Sequence, residues 1–404
     1  MTGFSASTYE AALRAALDVA EPAYVRATNS RADLPTTWNL SSLRGWRMFN
    51  GQYAEGQNVT FDVGLIADSY GALSTRYSQA LADQLANAYA DAGAGYIGFG
   101  YPVVGTSQVN GAGRWTTYPV TFSGAGWTSA YNGAVWGPDL SGVTATTLGN
   151  RVMVAFPAGT ASLTLFTRSS SAAPGAFRYS YDNGATWTGI TTNSPDGAMQ
   201  FALATPPTSA FTFIVESNST NLSGVAGVRH TNNAARGVRF NKLCGSGSRA
   251  EYFATDFAFS QYRTLVGLLQ MKLVIISIGT NDQDHLNGTF ATKAQYKGYI
   301  ETIIKQLRVI NPSIDILLAP PIENNRPSNP ISMAEFQDAN WELAQQYDTA
   351  FVLIQPSFGP VSNPSYYAWN GTFRVMDADL LHPFPATGGK IYADRLWQAL
   401  RTGI

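Results

Sequence analysis

Cysteine is almost missing from this chain: Cys244 stands alone among 404 residues, which excludes an intrachain disulfide framework and any cysteine-based zinc cage. Histidine is nearly as scarce. His230, His285 and His382 are scattered and form no His-x-x-x-His pair, so the sequence points to no catalytic metal and no cofactor. Charge is low as well, at 13% of residues, with a net value of -1 and an isoelectric point near 6.3. That balance, with no basic run, excludes the electrostatic footprint of a partner such as nucleic acid or an anionic membrane. Long apolar runs are lacking too. The amino-terminal stretch MTGFSASTYEAALRAALDVAEP carries Glu, Arg and Asp and has no continuous apolar core, so it reads as neither signal peptide nor membrane span; no later stretch suits a span either.

What the chain does have is apolar and glycine-rich material, with 45% hydrophobic residues and 38 glycines, a composition that argues against disorder. Its length exceeds what one core usually organises, so two units, or one unit with a large insertion, is the natural expectation. Residues 1–58 read as a lead-in: a helix over 8–28, then a loop-rich stretch whose Trp38, Trp46 and Phe49 pack on the main body. Val63 to Ala67 is a short buried strand and 74–92 an amphipathic helix. From 102 to 228 the character changes. Alternating runs such as RVMVAF, ASLTLFTR and AFTFIVE, separated by Gly, Pro, Asn and Asp, predict an antiparallel β-sandwich of jelly-roll type. Strands then alternate with helices again: 237–244, 272–279, IDILLAPP and AFVLIQP as strands, with helices after 292, over 332–347 and over 386–401. The predicted fold is α/β, a three-layer parallel-sheet domain built from 59–101 and 229–404 and interrupted by an inserted sandwich over 102–228.

Ligands of open parallel sheets sit beyond the carboxyl ends of the strands, so the residues following each strand are the candidates for chemistry. These are Asp68-Ser69 after the first strand, Gly245 and Gly247 in CGSGS, Asn281 in GTND, and the DADLLHPF stretch before the last helix. A serine at a strand-to-helix turn is ordinarily a cap residue. Here it comes with a histidine, His382, that has Asp379 three residues before it, and with backbone and amide donors. Such a set is what acyl transfer from an ester requires: a base to take the serine proton, a carboxylate to hold the base, and donors for the oxyanion.

In this order, ADSYG, the glycine of CGSGSRAEY, GTND and DLLHP resemble the sequence blocks of the SGNH (GDSL-like) hydrolase family. The resemblance covers about 61–100 and 237–402. It implies a nucleophile at Ser69, an oxyanion hole completed by Gly247 and Asn281, and an Asp-x-x-His pair at Asp379 and His382. Gly245 and Gly247 both fit the second block, and the following Ser-Arg-Ala-Glu-Tyr suits Gly247 better. Ala67 replaces the usual glycine before Asp-Ser. The inserted sandwich resembles that of carbohydrate esterases in which a carbohydrate-module-like domain lies beside the catalytic cleft. The function implied is a serine esterase removing O-acyl, above all O-acetyl, groups from a polysaccharide partner. A phage tail-spike setting would place the protein outside a cell or on a virion, as a homo-oligomer or in a larger assembly, with the cytoplasm left open.

Two further readings stand beside this one: a non-catalytic carbohydrate-binding or structural protein on a hydrolase scaffold, and a lipase or thioesterase with the same mechanism. Asp282, His285, Trp127 and Trp136 are candidate substrate contacts, with Trp115 and Trp187 as further aromatic candidates; the alternative for all four tryptophans is sandwich core, which is the favoured reading, while Asp282 alternatively orients its loop and His285 alternatively sits on a surface loop. Asp68 reads as a cap or brace, Asp377 as a weaker substitute for Asp379, and His230 has no evident chemical partner. SYDNGATW (180–187) matches an Asp-box once, which marks a hairpin turning at Asn183-Gly184, with Asp182 open as a sugar contact.

Overall fold

Eight residues, Thr60–Ala67, form the strand on which the site depends, and all but the first are buried because the strand runs through the middle of a sheet covered on both faces. The computed structural model describes residues 34–73, 75–100, 117–124, 127–131, 137–145, 147–169, 175–192, 197–218, 224–283, 290–324, 331–359 and 374–403. The lead-in helix expected over 8–28 lies outside them.

The central sheet has six strands in the order Thr37–Trp38, Ala350–Val352, Asp315–Leu318, Leu273–Ser277, Thr60–Ala67 and Gly237–Cys244. All neighbouring pairs are parallel except the antiparallel edge pair of Thr37–Trp38 with Ala350–Val352. Numbered along the chain, the parallel strands lie in the doubly wound order 2-1-3-4-5, which reverses direction beside Thr60–Ala67. The mixed α/β fold expected from the sequence is therefore present.

The helices follow their capping chemistry. Thr292 and Gln295 form a capping box at the start of Lys293–Ile310, and the Asn311-Pro312 pair ends it. Ser332 caps Met333–Tyr347 by accepting the Ala334 N–H. Leu81, Leu85 and Tyr89 recur every four residues and bury one face of Ser78–Tyr89. Trp46 and Phe49, on the helix Arg44–Ala54, are fully buried against Phe61 and Tyr89. Trp38 is the exception to the expected packing, 42% exposed with its ring edge-on to Trp341.

Between the first two parallel strands the chain builds two antiparallel sheets. One runs Thr188–Thr192, Gly175–Ser180, Phe211–Ser217, Arg151–Phe156 and Val120–Ser123; the other runs Gly197–Ala202, Thr160–Ser169, Val225–Asn232, Ser141–Ala145 and Trp127–Tyr131, with Gly95–Gly98 also on Val225–Asn232. Val152, Val154, Phe213 and Val215 of the first share one buried cluster with Leu163, Leu165 and Val228 of the second, so these sheets face each other. Phe166 and Ala226 lie on the opposite face of the second sheet and join a different cluster with Tyr262 and Phe253 of the α/β body. Buried Asp62 adds a polar tie, accepting from Arg239 at 2.6 and 2.9 Å and from Arg229 at 3.2 Å. No helix among the described residues is long and apolar enough to cross a membrane.

Candidate active site

Strand register decides where the candidate residues meet. Ala67 lies opposite Cys244 on one side and Ser277 on the other, so the turns carrying Ser69, Gly247 and Asn281 leave the same sheet edge side by side. That edge is the carboxyl end of the strands at the point where strand order reverses, where open α/β sheets hold their ligands.

Ser69 opens the single-turn helix Ser69–Ala72, with Asp68 as its cap. Its Oγ lies 2.7 Å from His382 Nε2, and His382 Nδ1 lies 2.5 Å from Asp379 Oδ2. A carboxylate only accepts, so Nδ1 carries the ring proton and Nε2 is left to accept the Ser69 O–H. The other carboxylate oxygen accepts the backbone N–H groups of Leu381 and His382, both at 3.0 Å. Partial burial works to raise the Asp379 carboxyl, but hydrogen bonds from the His382 ring and backbone outweigh it and hold the group well below the usual carboxylate range. The tight Asp-x-x-His turn has Leu380 at φ 59°, a left-handed conformation rare for a branched side chain.

The loop carrying Asp379 and His382 is gripped from the Ser69 side. Tyr70 donates its hydroxyl to the Leu381 carbonyl, while Arg76 Nη1 reaches Asp377 at 2.5 Å and the Pro383 carbonyl at 2.8 Å. Asp377 is thereby committed to Arg76, and Asp379 alone of the two aspartates meets the histidine ring.

Donors converge on the same edge. The Gly245 N–H already donates to the Ala67 carbonyl at 3.0 Å, extending the strand pairing, whereas the Gly247 N–H has no acceptor among the described residues. Gly247 has φ +77°, and a Cβ added there would meet nothing within 4 Å, which fits a turn whose outer side faces open space. The Ser69 N–H, first in its helix, also lacks an acceptor among the described residues. Asn281 Nδ2 donates to the Ser248 carbonyl at 3.0 Å, which fixes the amide and leaves its second N–H to point elsewhere. This arrangement can remove a serine proton, hold an imidazolium against a carboxylate and receive an oxyanion.

The candidate substrate contacts fare differently. Asp282 is fully buried and accepts the Ala250 N–H at 2.9 Å; burial pushes its carboxyl up to about 7. It braces the turn from beneath and has no surface to offer a substrate. Trp127 is only 8% exposed, donates its indole N–H to the Ser123 carbonyl and sits edge-on to Phe122, so it belongs to the core of the antiparallel sheets and is no stacking platform. His285, Trp136 and Trp115 lie outside the described residues. Asp182 is taken up by its own hairpin, accepting from Ser180 Oγ, Thr186 N and Thr186 Oγ1, with Asn183 and Gly184 at positive φ as the turn. His230 is buried, accepting the Ala94 N–H at Nδ1 and lying 3.2 Å from Thr160 Oγ1 at Nε2. Among the described residues, no group of three or more His, Cys, Asp or Glu is placed to hold a metal ion.

Residues 218–387 match the model of the GDSL-like lipase/acylhydrolase family. The match takes in Gly247, Asn281, Asp379 and His382 and stops short of Ser69, which joins them through geometry. Among solved structures, one titled "Peptidoglycan O-acetylesterase in action, 5 min" aligns with a TM-score of 0.67 at 18% identity, covering 91% of this chain and 100% of that one. A family 2 carbohydrate esterase with a carbohydrate-binding domain, from Corynascus thermopiles (Myceliophthora fergusii), aligns over 70% of this chain and 99% of its own at 12% identity, with a TM-score of 0.33. The first likeness is one of fold, and the second is too partial to carry an argument. No curated protein matches the chain.

Proposed function

We propose that this chain is a carboxylic ester hydrolase of the GDSL-like kind, whose family model matches residues 218–387, and that it removes O-acetyl groups from a polysaccharide through a Ser69-His382-Asp379 triad. The observation that carries the reading is the unbroken hydrogen-bond chain from Ser69 Oγ through His382 to Asp379, next to two backbone N–H groups without acceptors among the described residues. Ser69 Oγ attacks the ester carbonyl carbon as its proton passes to His382 Nε2. The imidazolium that forms is held by the Asp379 carboxylate. The carbonyl oxygen, now an oxyanion, takes hydrogen bonds from the Ser69 and Gly247 N–H groups and the Asn281 amide, each such donor lowering the barrier by about 3 kcal/mol. Collapse breaks the bond to the sugar oxygen, which leaves with the proton from His382. Water then enters, gives its proton to His382 and releases the acetate, restoring Ser69.

Acetyl preference and the polysaccharide rest on the likeness of fold to an O-acetylesterase, which is support of a weaker kind than the geometry. The test is acetate release, followed by chromatography, from O-acetylated peptidoglycan and O-acetylated plant and bacterial polysaccharides, with Ser69→Ala as control. A chain-length series of chromogenic esters runs alongside. Ser69-dependent acetate release from at least one polymer, with acetate preferred over longer acyl esters, is the expected result. Faster cleavage of long-chain esters with no release from any polymer would replace the polysaccharide substrate with a lipid.

A further inference from the structure

Asp68 does more than cap a helix. A cap needs one oxygen, and Asp68 Oδ1 fills that part by accepting the Tyr70 N–H at 3.0 Å. The second oxygen accepts the Thr280 N–H at 3.1 Å, from a residue 212 positions away at the end of the neighbouring strand. Thr280 immediately precedes Asn281. A related link joins the next pair of turns: Asp282 accepts the Ala250 N–H at 2.9 Å, and Asn281 Nδ2 holds the Ser248 carbonyl. Three turns that leave separate strands are thus laced together by two fully buried carboxylates.

We infer that Asp68 is a positioning residue for the oxyanion hole, fixing the Ser69 turn to the Asn281 turn, while Asp282 fixes the Asn281 turn to the Gly247 turn. The inference rests on the esterase reading, because it gives a purpose to the spacing of those donors. Burying two carboxylates is costly: burial raises both groups, with the backbone hydrogen bonds to Asp68 offsetting part of its rise. A helix of one turn is too short for a cap alone to account for such burial. A carboxylate spanning two backbone donors, by contrast, sets the distance between them with two short bonds, and displacement of a catalytic donor by an ångström is enough to slow an enzyme by about 100-fold.

The substitutions separate bridge from cap. Asp68→Asn keeps the volume but turns an amide N–H toward one of the two backbone donors. Asp68→Ser keeps a cap acceptor for Tyr70 and is too short to reach Thr280. Asp282→Asn can still present a carbonyl to Ala250, since the other Asp282 oxygen has no partner among the described residues, whereas Asp282→Ala cannot. Steady-state hydrolysis of a chromogenic acetate ester is measured for each, with wild type, Ser69→Ala and thermal melts for reference. Expected are losses in kcat of roughly 30-fold or more for both Asp68 variants and about tenfold for Asp282→Ala, with KM within about threefold and Asp282→Asn close to wild type.

Folded Asp68 variants with kcat within about threefold of wild type would overturn the inference, as would a change confined to KM. If Asp68→Asn does not fold, Asp68→Ser decides. If neither folds, Asp68 serves folding and the positioning claim is overturned. A wild type no faster than Ser69→Ala would instead bring down the esterase reading, and the inference with it.

Discussion

Protonation of His230 sets a stability limit on the acid side. The ring is fully buried between Phe156 and Tyr118, with centroids 4.8 and 5.2 Å away, and it accepts the Ala94 N–H at Nδ1. With Nδ1 accepting, the neutral ring carries its proton on Nε2 and donates to Thr160 Oγ1. Burial pushes the group down to about 4. The unfolded chain takes up this proton near the ordinary histidine value of about 6.5, so between the two values the unfolded state binds more protons and stability falls as pH drops. The gap of about 2.5 units corresponds to about 3 kcal/mol, fully present above about pH 6.5 and gone below about pH 4.

Buried carboxylates work in the opposite sense. Asp282, raised to about 7, and Asp256, raised to about 6, take up protons in the folded state before the unfolded one, and so favour folding as pH falls. The total curve mixes these effects, so the informative quantity is the difference between wild type and His230→Gln. Urea unfolding of both, in steps from about pH 7 to about pH 4.5, should show wild type losing its advantage as pH falls, by an amount approaching 3 kcal/mol. A difference that stays constant over that range would refute the reasoning, because it would mean that His230 does not change its protonation on unfolding.

Two more outcomes follow from the site. Asp379→Asn leaves an oxygen for the Leu381 and His382 N–H groups but sets an amide N–H against His382 Nδ1, which drives the ring proton to Nε2 and removes the base; kcat should fall by roughly 1,000-fold or more in ester hydrolysis, with the fold retained by circular dichroism. Gly247→Ala meets no neighbour but strains a backbone at φ +77°, so a loss of about 1 kcal/mol in urea unfolding and a fall in kcat of roughly tenfold are expected as the turn relaxes and moves its N–H.

The residues proposed to do chemistry were legible as candidates because they follow strands as short local patterns. Serine after an apolar run, GTND after another, and Asp-x-x-His before a terminal helix each carry their meaning within a few positions. Their meeting depends on register, and the reversal of strand order beside Thr60–Ala67 supplies it. What was not legible depends on contacts across the chain. The link from Asp68 to Thr280, the grip of Arg76 on Asp377 and the shared cage of His230 with Ala94 and Thr160 leave no local trace. Trp127 stayed open between sugar platform and sandwich core for a related reason: the same ring serves a core or a binding face, and only packing against Phe122 and the bond to Ser123 decide which. The weak choice between Gly245 and Gly247 as oxyanion donor came from the same limit, since it turns on which N–H the Ala67 carbonyl has already taken.

The most direct test of the account is the rate of chromogenic acetate ester hydrolysis by wild type beside Ser69→Ala and His382→Ala, each verified as folded. The account expects measurable turnover by wild type and losses of roughly 1,000-fold or more in both variants, the two being similar because the residues act as a unit. Hydrolysis by either variant at the wild-type rate would contradict it, since the bond would then be cleaved without the hydrogen-bond chain from Ser69 to His382.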